Sequence, residues 1–142
     1  MTSALFVVSE EGYWAEECIE PLTTLESEGV DVTVATPSGS PPVVDERSLD
    51  PEAAGGEERV AELREVDETH PELNGPEPIA TVDAADYDAV VFPGGHGTVW
   101  DVNQDRHARQ LLLDAVAGEE GVALVVCHAV GILAFTREAD GT

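Results

Sequence analysis

Four short apolar runs, at Ala4 to Val8, Asp31 to Thr36, Ala89 to Phe92 and Val122 to Val126, divide this chain at spacings that each leave room for a crossover. Between them lie segments of helical pattern: Ala15 to Glu28, a short Glu57 to Glu65, and Arg106 to Ala117 with Leu111, Leu112 and Val116 facing inward. Strand and helix in alternation predict an α/β fold, a parallel sheet with helices on both faces in three layers. In open sheets of this kind ligands bind beyond the carboxyl ends of the strands. The residues that follow each apolar run are therefore the ones to read for chemistry.

The last run enters ALVVCHAVGIL, so Cys127 and His128 stand where a strand turns into a helix start of small residues. A cysteine at such an elbow has its sulfur lifted toward the positive end of a helix, which favours thiolate. Taken alone, a Cys-His pair also reads as a buried cysteine packed as a small hydrophobe. The run before it ends in VVFPGGHGTVWD, where Gly94, Gly95 and Gly97 allow a sharp turn with uncovered N–H groups. Such a turn can hold an oxyanion, and it also reads as a plain connection from strand to helix. The first run leads through a turn at Glu10 to Gly12 into a helix that opens with Glu16 and Glu17 and contains Pro21. A carboxylate in that first turn sits just past the end of the first strand, although in so acidic a chain any one Glu also reads as solvated.

Together, EGYWAEECIEPL, VDVTVATPSGSPPVVDERSLDP, YDAVVFPGGHGTVWD and ALVVCHAVGIL, in this order, resemble the ThiJ/PfpI superfamily, which has the class I glutamine amidotransferase-like fold. The likeness covers most of the chain and implies a flavodoxin-like three-layer sandwich. The Gly-Tyr-Trp opening, the Pro-Pro-Val-Val-Asp segment and the full Pro-Gly-Gly-His-Gly turn look most like the glyoxalase III and stress-chaperone branch. Carried over by position, the resemblance implies Cys127 as nucleophile, His128 as its partner, and Glu17 as the carboxyl that hydrogen-bonds the sulfur, with Glu16 as the alternative. It implies an oxyanion site from the backbone of Gly94, Gly95 and His96 with the N–H of His128. Tyr13 and Trp100 adjoin these motifs and are candidates to line a pocket, or else core and rim packing.

The implied chemistry is glutathione-independent conversion of a 2-oxoaldehyde such as methylglyoxal to a 2-hydroxy acid, the activity of glyoxalase III, D-lactate dehydratase and protein deglycase. A thiolate adds to the aldehyde, backbone donors stabilise the oxygen of the adduct, and a carboxyl kept partly protonated by burial shuttles a proton between the two carbons. No metal or organic cofactor is expected. Alternative functions are a redox-sensing holdase chaperone, with Cys127 reversibly oxidised, and a PfpI-type peptidase or amidotransferase-like hydrolase. The resemblance also implies a homodimer. Against the family pattern, Val125 stands two residues before the nucleophile, where a small residue is usual, and Ala129 stands two after it, where Gly is common. The chain ends at Thr142, fifteen residues past Cys127, and Asp140 is matched by no motif. The expectation is a domain truncated at its C-terminus that lacks the acidic third member of the site, so that activity of the chain alone is in doubt.

Residues 37–80 are rich in Pro, Gly and Glu and read as a long acidic loop insertion within one domain spanning residues 1–142. A net charge of −24 at pH 7, with 30 acidic residues against six basic ones, all of them arginine, argues against nucleic-acid and anionic-membrane partners. The acids are spread through patterned segments rather than gathered in a tail, as in proteins adapted to high salt, which points to a halophile and to a salt-requiring fold. No apolar run reaches membrane-spanning length and the start MTSALFVVSEEG lacks a basic leader region, so a cytoplasmic location is expected. Two cysteines, Cys18 and Cys127, make no disulfide framework. His70 and His107 read as surface residues without metal-ligand spacing.

Overall fold

The computed structural model describes all 142 residues. Five parallel strands form one sheet: β1 (Ser3–Val7), β2 (Asp31–Thr36), β3 (Glu77–Pro78), β4 (Ala89–Phe92) and β5 (Val122–Val125), in the order β3-β2-β1-β4-β5. Leu5 of β1 lies opposite Thr33 of β2 and Val90 of β4, which puts the most continuously apolar strand at the centre. The flavodoxin-like sandwich expected from the sequence is the fold observed.

Side chains leave a strand to opposite faces in turn. Ala4, Phe6 and Val8 accordingly meet Ile19 and Leu22 of α1 (Ala15–Ser27) and Leu63 of α3 (Glu57–Thr69) on one face. Leu5 and Val7 meet Leu111 and Leu112 of α5 (Arg106–Ala117) on the other. Each such fully buried Leu, Ile or Phe contributes about 1.5–3 kcal/mol relative to exposure. Two cores, one per sheet face, hold the layers together.

Residues 37–80 correct the expectation of a loop. They form a 3-10 turn at Glu46–Leu49, then α2 (Pro51–Ala54), α3 and α4 (Pro71–Asn74), before closing the sheet edge as β3. The helix α3 runs four residues past Glu65 and buries Leu63 fully, with Val60 and Val66 at the core margin. Arg59 pairs with Glu20 of α1 and with Glu62, and Arg64 pairs with Glu46 at 3.1 Å. Half of the six arginines (Arg47, Arg59 and Arg64) thus neutralise carboxylates within or beside this crossover.

Val116 is also corrected: it is 59% exposed, while Ala108, Leu111, Leu112 and Ala115 form the buried stripe of α5. The edge strand β5 leaves Val122 and Leu124 open, and Leu133 and Phe135 of the single-turn α6 (Ile132–Phe135) are about half exposed. No helix is long and apolar enough to cross a membrane.

The order of the strands decides where a site can form. From β1 the chain steps outward through β2 to β3, then crosses back to β4 and β5 on the other side of β1. The connections leaving β1 and β4 therefore diverge at their carboxyl ends and open a crevice there.

Candidate active site

Cys127 follows β5 directly and has φ 53°, the only non-glycine residue of the chain with positive φ. Holding an L-residue there costs about 1–3 kcal/mol, which the surroundings must offset. Val126 donates its N–H to the Phe92 carbonyl at 3.0 Å, clamping the elbow to β4, and Ala129 donates back to Val126 at 3.0 Å. Val125 leans against the α5-side core and leaves the elbow intact. The sulfur emerges on the crevice side.

Three groups converge on that sulfur. The Nδ1 of His128 lies 3.2 Å from Sγ. The backbone N–H groups of His128 and Gly95 lie close enough to the sulfur to favour its ionised form, and the Glu17 carboxyl approaches from α1 and opposes it. Glu17 is in the first helical turn, where the aligned N–H groups favour a carboxylate. Its Oε2 is buried with no hydrogen-bond partner, and it shares the space beside Gly94 with the Cβ of Cys127. Pro21 has no N–H, so the Glu17 carbonyl lacks its usual helical donor, yet α1 continues through it. Glu16 faces solvent, which leaves Glu17 as the carboxyl of the site.

The glycines explain how these groups approach so closely. A Cβ at Gly94 would collide with Glu17 Oε2 and lie 2.5 Å from the Cβ of Cys127. Gly95 has φ 127°, and a Cβ there would lie 2.5 Å from the Gly12 carbonyl oxygen and 2.7 Å from the Trp14 nitrogen. Between these two loops, Trp14 donates to the Gly94 carbonyl and Gly97 donates to the Gly12 carbonyl, each at 3.0 Å. The end of β1 and the end of β4 are zipped together behind the sulfur.

The thiol itself corrects an expectation. Burial pushes the Cys127 thiol up, and the neighbouring Glu17 carboxyl pushes it further, while the His128 and Gly95 N–H groups pull it down. The balance is a raised thiol rather than a resting thiolate. The structural reason is that Cys127 begins a 3-10 turn (Cys127–Gly131) followed by one turn of α-helix, too short a run of aligned peptides to oppose a neighbouring carboxylate.

Other candidates sit as follows. The His96 ring is half exposed and lies on the His128 ring, centroids 4.3 Å apart. Of the two alternatives for Tyr13, pocket lining or core packing, the structure has the second: it is sealed in the core with its hydroxyl donating to Asp67. Trp100 is 74% exposed on the turn after Val99. Cys18 is fully buried, and burial pushes its thiol far up, which makes it inert. His107 is exposed, but His70 is not a free surface residue: its Nε2 lies 2.7 Å from Glu26 and its Nδ1 accepts the Glu72 N–H, capping α4. No group of three or more His, Cys, Asp or Glu is arranged to hold a metal ion.

Two further residues support the site, Asn103, which carried no signal in the sequence, and Asp101, which entered it only as the last residue of the VVFPGGHGTVWD motif. Asn103, buried on the turn before α5, donates from Nδ2 to the His128 carbonyl at 2.9 Å and so fixes the backbone of the Cys-His pair. A Cβ at Gly131 would lie 2.6 Å from that Nδ2, so the contact requires glycine there. Asp101 accepts from Ser9 Oγ at 3.0 Å and Glu10 N–H at 2.8 Å, tying the turn after β4 to the end of β1. Both lie in a stretch that reads as ordinary loop.

The sheet, its switch-point crevice and the strained cysteine elbow define an α/β domain of the nucleophile-elbow class, with the Cys127 sulfur at the carboxyl edge of the sheet. Residues 2–141 match the DJ-1/PfpI family, and the chain belongs to that family. Among solved structures it is similar to the 24-kDa rapid encystment protein of Francisella tularensis, at 22% identity and TM-score 0.75, over 99% of this chain and 65% of that one. It is similar to glyoxalase III of Candida albicans at 20% identity and TM-score 0.74, over 92% of this chain and 59% of that one. A ThiJ/PfpI domain protein of Brachyspira murdochii matches at 23% identity and TM-score 0.63, over 93% and 62%. The chain thus spans under two thirds of the length of each. No curated protein sequence matches it.

Proposed function

We propose that this domain carries out cysteine-dependent, glutathione-independent conversion of 2-oxoaldehydes such as methylglyoxal to 2-hydroxy acids. The observation that carries the reading is the placement of one cysteine between the Nδ1 of His128, 3.2 Å from its sulfur, and the buried Glu17 carboxyl, which meets it in the space left by Gly94. The Cys127 thiol gives up its proton to His128 or Glu17 as its sulfur adds to the aldehyde carbon, forming a hemithioacetal whose oxygen takes hydrogen bonds from the backbone donors. Glu17 removes the hydrogen from that carbon and returns it to the adjacent one, through an enediol. The resulting thioester is cleaved by water, giving the 2-hydroxy acid and the free thiol. Aldehyde and one water become the acid, with no external oxidant or reductant.

The test is D-lactate formation from methylglyoxal without glutathione in molar KCl. The expected result is formation by the chain and none by Cys127→Ala; equal rates for the two would refute the reading. One further observation favours a second reading, reversible oxidation of Cys127 by peroxide coupled to binding of unfolded chains: the sulfur-bearing residue is exposed and lies near exposed Val130, Leu133 and Phe135. That reading requires peroxide treatment to create the binding, and Cys127→Ala to abolish it.

A further inference from the structure

Within the proposed reaction His128 must keep one ring orientation, because only its Nδ1 reaches the sulfur. Histidines beside nucleophiles are ordinarily oriented by a carboxylate on the other ring nitrogen. The hydrogen-bond contact that this ring makes is with Cys127. What touches the ring is His96. The two imidazoles lie with centroids 4.3 Å apart and planes inclined by 35°, close to an offset stack.

His96 is itself located from two sides. Its Nδ1 lies 3.8 Å from the Asp45 Oδ2, and the Trp14 ring sits 6.4 Å away, centroid to centroid. Asp45 is only 10% exposed at its side chain and is held by Arg47, whose Nη2 donates to Oδ2 at 2.6 Å and whose Nε donates to Oδ1 at 3.0 Å. That pairing with Arg47 holds the Asp45 carboxyl below its ordinary range, so it is charged at neutral pH. The segment carrying it is in turn fixed, since Asp45 donates its N–H to the Tyr13 carbonyl at 2.8 Å and Tyr13 donates to Val43 at 3.0 Å.

We infer that His96 is a positioning residue for His128, oriented by Asp45, and that this stack sets the ring which exchanges the Cys127 proton. The chain of contact runs from Arg47 through Asp45, His96 and His128 to the sulfur. The inference rests on the reading of Cys127 and His128 as the reacting pair. The charged and titratable groups around the two rings are Asp45 and its partner Arg47 on the segment after β2, Glu17 on α1, and Cys127 on the elbow.

The test reads the sulfur directly, by the rate of iodoacetamide alkylation of Cys127 from pH 6 to pH 10 in molar KCl, with D-lactate formation alongside. Cys127→Ala serves to subtract any modification of Cys18. His96→Ala, which removes the stack, should slow alkylation at neutral pH by about tenfold and lower kcat similarly with KM within about twofold, the scale of losing one ring-to-ring contact and its geometry. His96→Phe, which keeps a flat ring without a titrating group, should recover alkylation to within about threefold of the wild type. Asp45→Asn should fall between the two. Near-universal retention of the native near-ultraviolet circular dichroism is required of each variant. Alkylation of His96→Ala within twofold of wild type, or His96→Phe as slow as His96→Ala, would overturn the inference. If the wild type forms no lactate, the 2-oxoaldehyde reading fails while the alkylation rates still decide the role of His96.

Discussion

Replacing Gly94 by alanine exchanges a hydrogen for a methyl group at the point where the candidate site is packed most tightly. The new Cβ would overlap Glu17 Oε2, lie 2.5 Å from the Cβ of Cys127 and 3.0 Å from the Val126 carbonyl oxygen. None of these neighbours is the free end of a long side chain: two belong to the strained elbow, and the third is a carboxylate held at a helix start. Gly94 does not have a positive φ, so alanine meets no backbone penalty and the whole effect is steric. Relief requires a shift approaching 1 Å between α1 and the elbow, and overpacking of this kind costs about 1–3 kcal/mol. For a domain of this size that is a fall in Tm of about 3–10 °C. A shift of that size at reacting atoms also slows chemistry by about a hundredfold. Gly118→Ala is the control, since its Cβ meets nothing closer than 3.7 Å at φ −70°, and it should be neutral or slightly stabilising. Thermal melting and Cys127 alkylation, both in molar KCl, read the two effects. A Gly94→Ala variant that melts within 1 °C of wild type and is alkylated at the wild-type rate would refute the account of why this turn is built from glycine.

Glu17→Gln separates the two jobs of that carboxyl: removing the negative charge next to Cys127 lowers the thiol pKa, so alkylation at neutral pH should speed up, while lactate formation should fall by about 10²–10⁴-fold for want of a proton carrier. An alkylation profile displaced to higher pH would contradict the assigned sign. Asn103→Ala leaves the His128 carbonyl without its side-chain donor and should cost about 1–3 kcal/mol in urea unfolding, with slower alkylation of Cys127; unchanged values for both would remove Asn103 from the site's support. Because a charge of −24 repels itself over a screening distance that shrinks from about 10 Å at 0.1 M salt to about 3 Å at 1 M, Tm should rise steadily with KCl over that range, and equal midpoints at the two ends would dismiss the salt requirement.

The parts of the fold legible in the sequence were those where one physical signal dominated. β2, β4 and α5 have the expected bounds, because apolar runs ended at Pro or Gly and the helix is capped by Asp105, whose Oδ1 accepts from His107 and Ala108. Cys127, Gly94 and Gly95 were legible because each stands just past the end of a strand, whereas Glu17, inside α1, stood out from the other acids only through the family resemblance. Within residues 37–80 only the helix starting at Glu57 was legible, and its length was not, since acidic residues on three sides of α3 hide a buried edge of Val60, Leu63 and Val66. Val116 misled for a geometrical reason: it lies about 90° round the helix from the centre of the buried stripe at roughly 100° per residue. Asp45, Asn103 and the stacking of His96 on His128 join segments far apart in the chain, and no local pattern announces such a meeting.

The raised thiol bears on which of the two readings of Cys127 governs under resting conditions. Peroxide oxidation proceeds through the thiolate, so a cysteine built as a sensor is held in that form by its neighbours. Here the carboxylate of Glu17 and burial oppose ionisation, and the two N–H donors only partly offset them. An aldehyde changes the balance, because addition moves negative charge from sulfur to an oxygen that those same donors can reach, and the displaced proton has an acceptor on either side, Nδ1 of His128 at 3.2 Å and the unsatisfied Oε2 of Glu17. On the proposed reading the arrangement disfavours the charged state of the free cysteine and favours the charged state of its adduct, the difference expected of a site that accelerates a reaction rather than one that tunes a sensor. It follows that Glu17→Gln should raise the rate of peroxide oxidation of Cys127 while suppressing aldehyde turnover, and the two rates falling together would place both chemistries on the same thiolate.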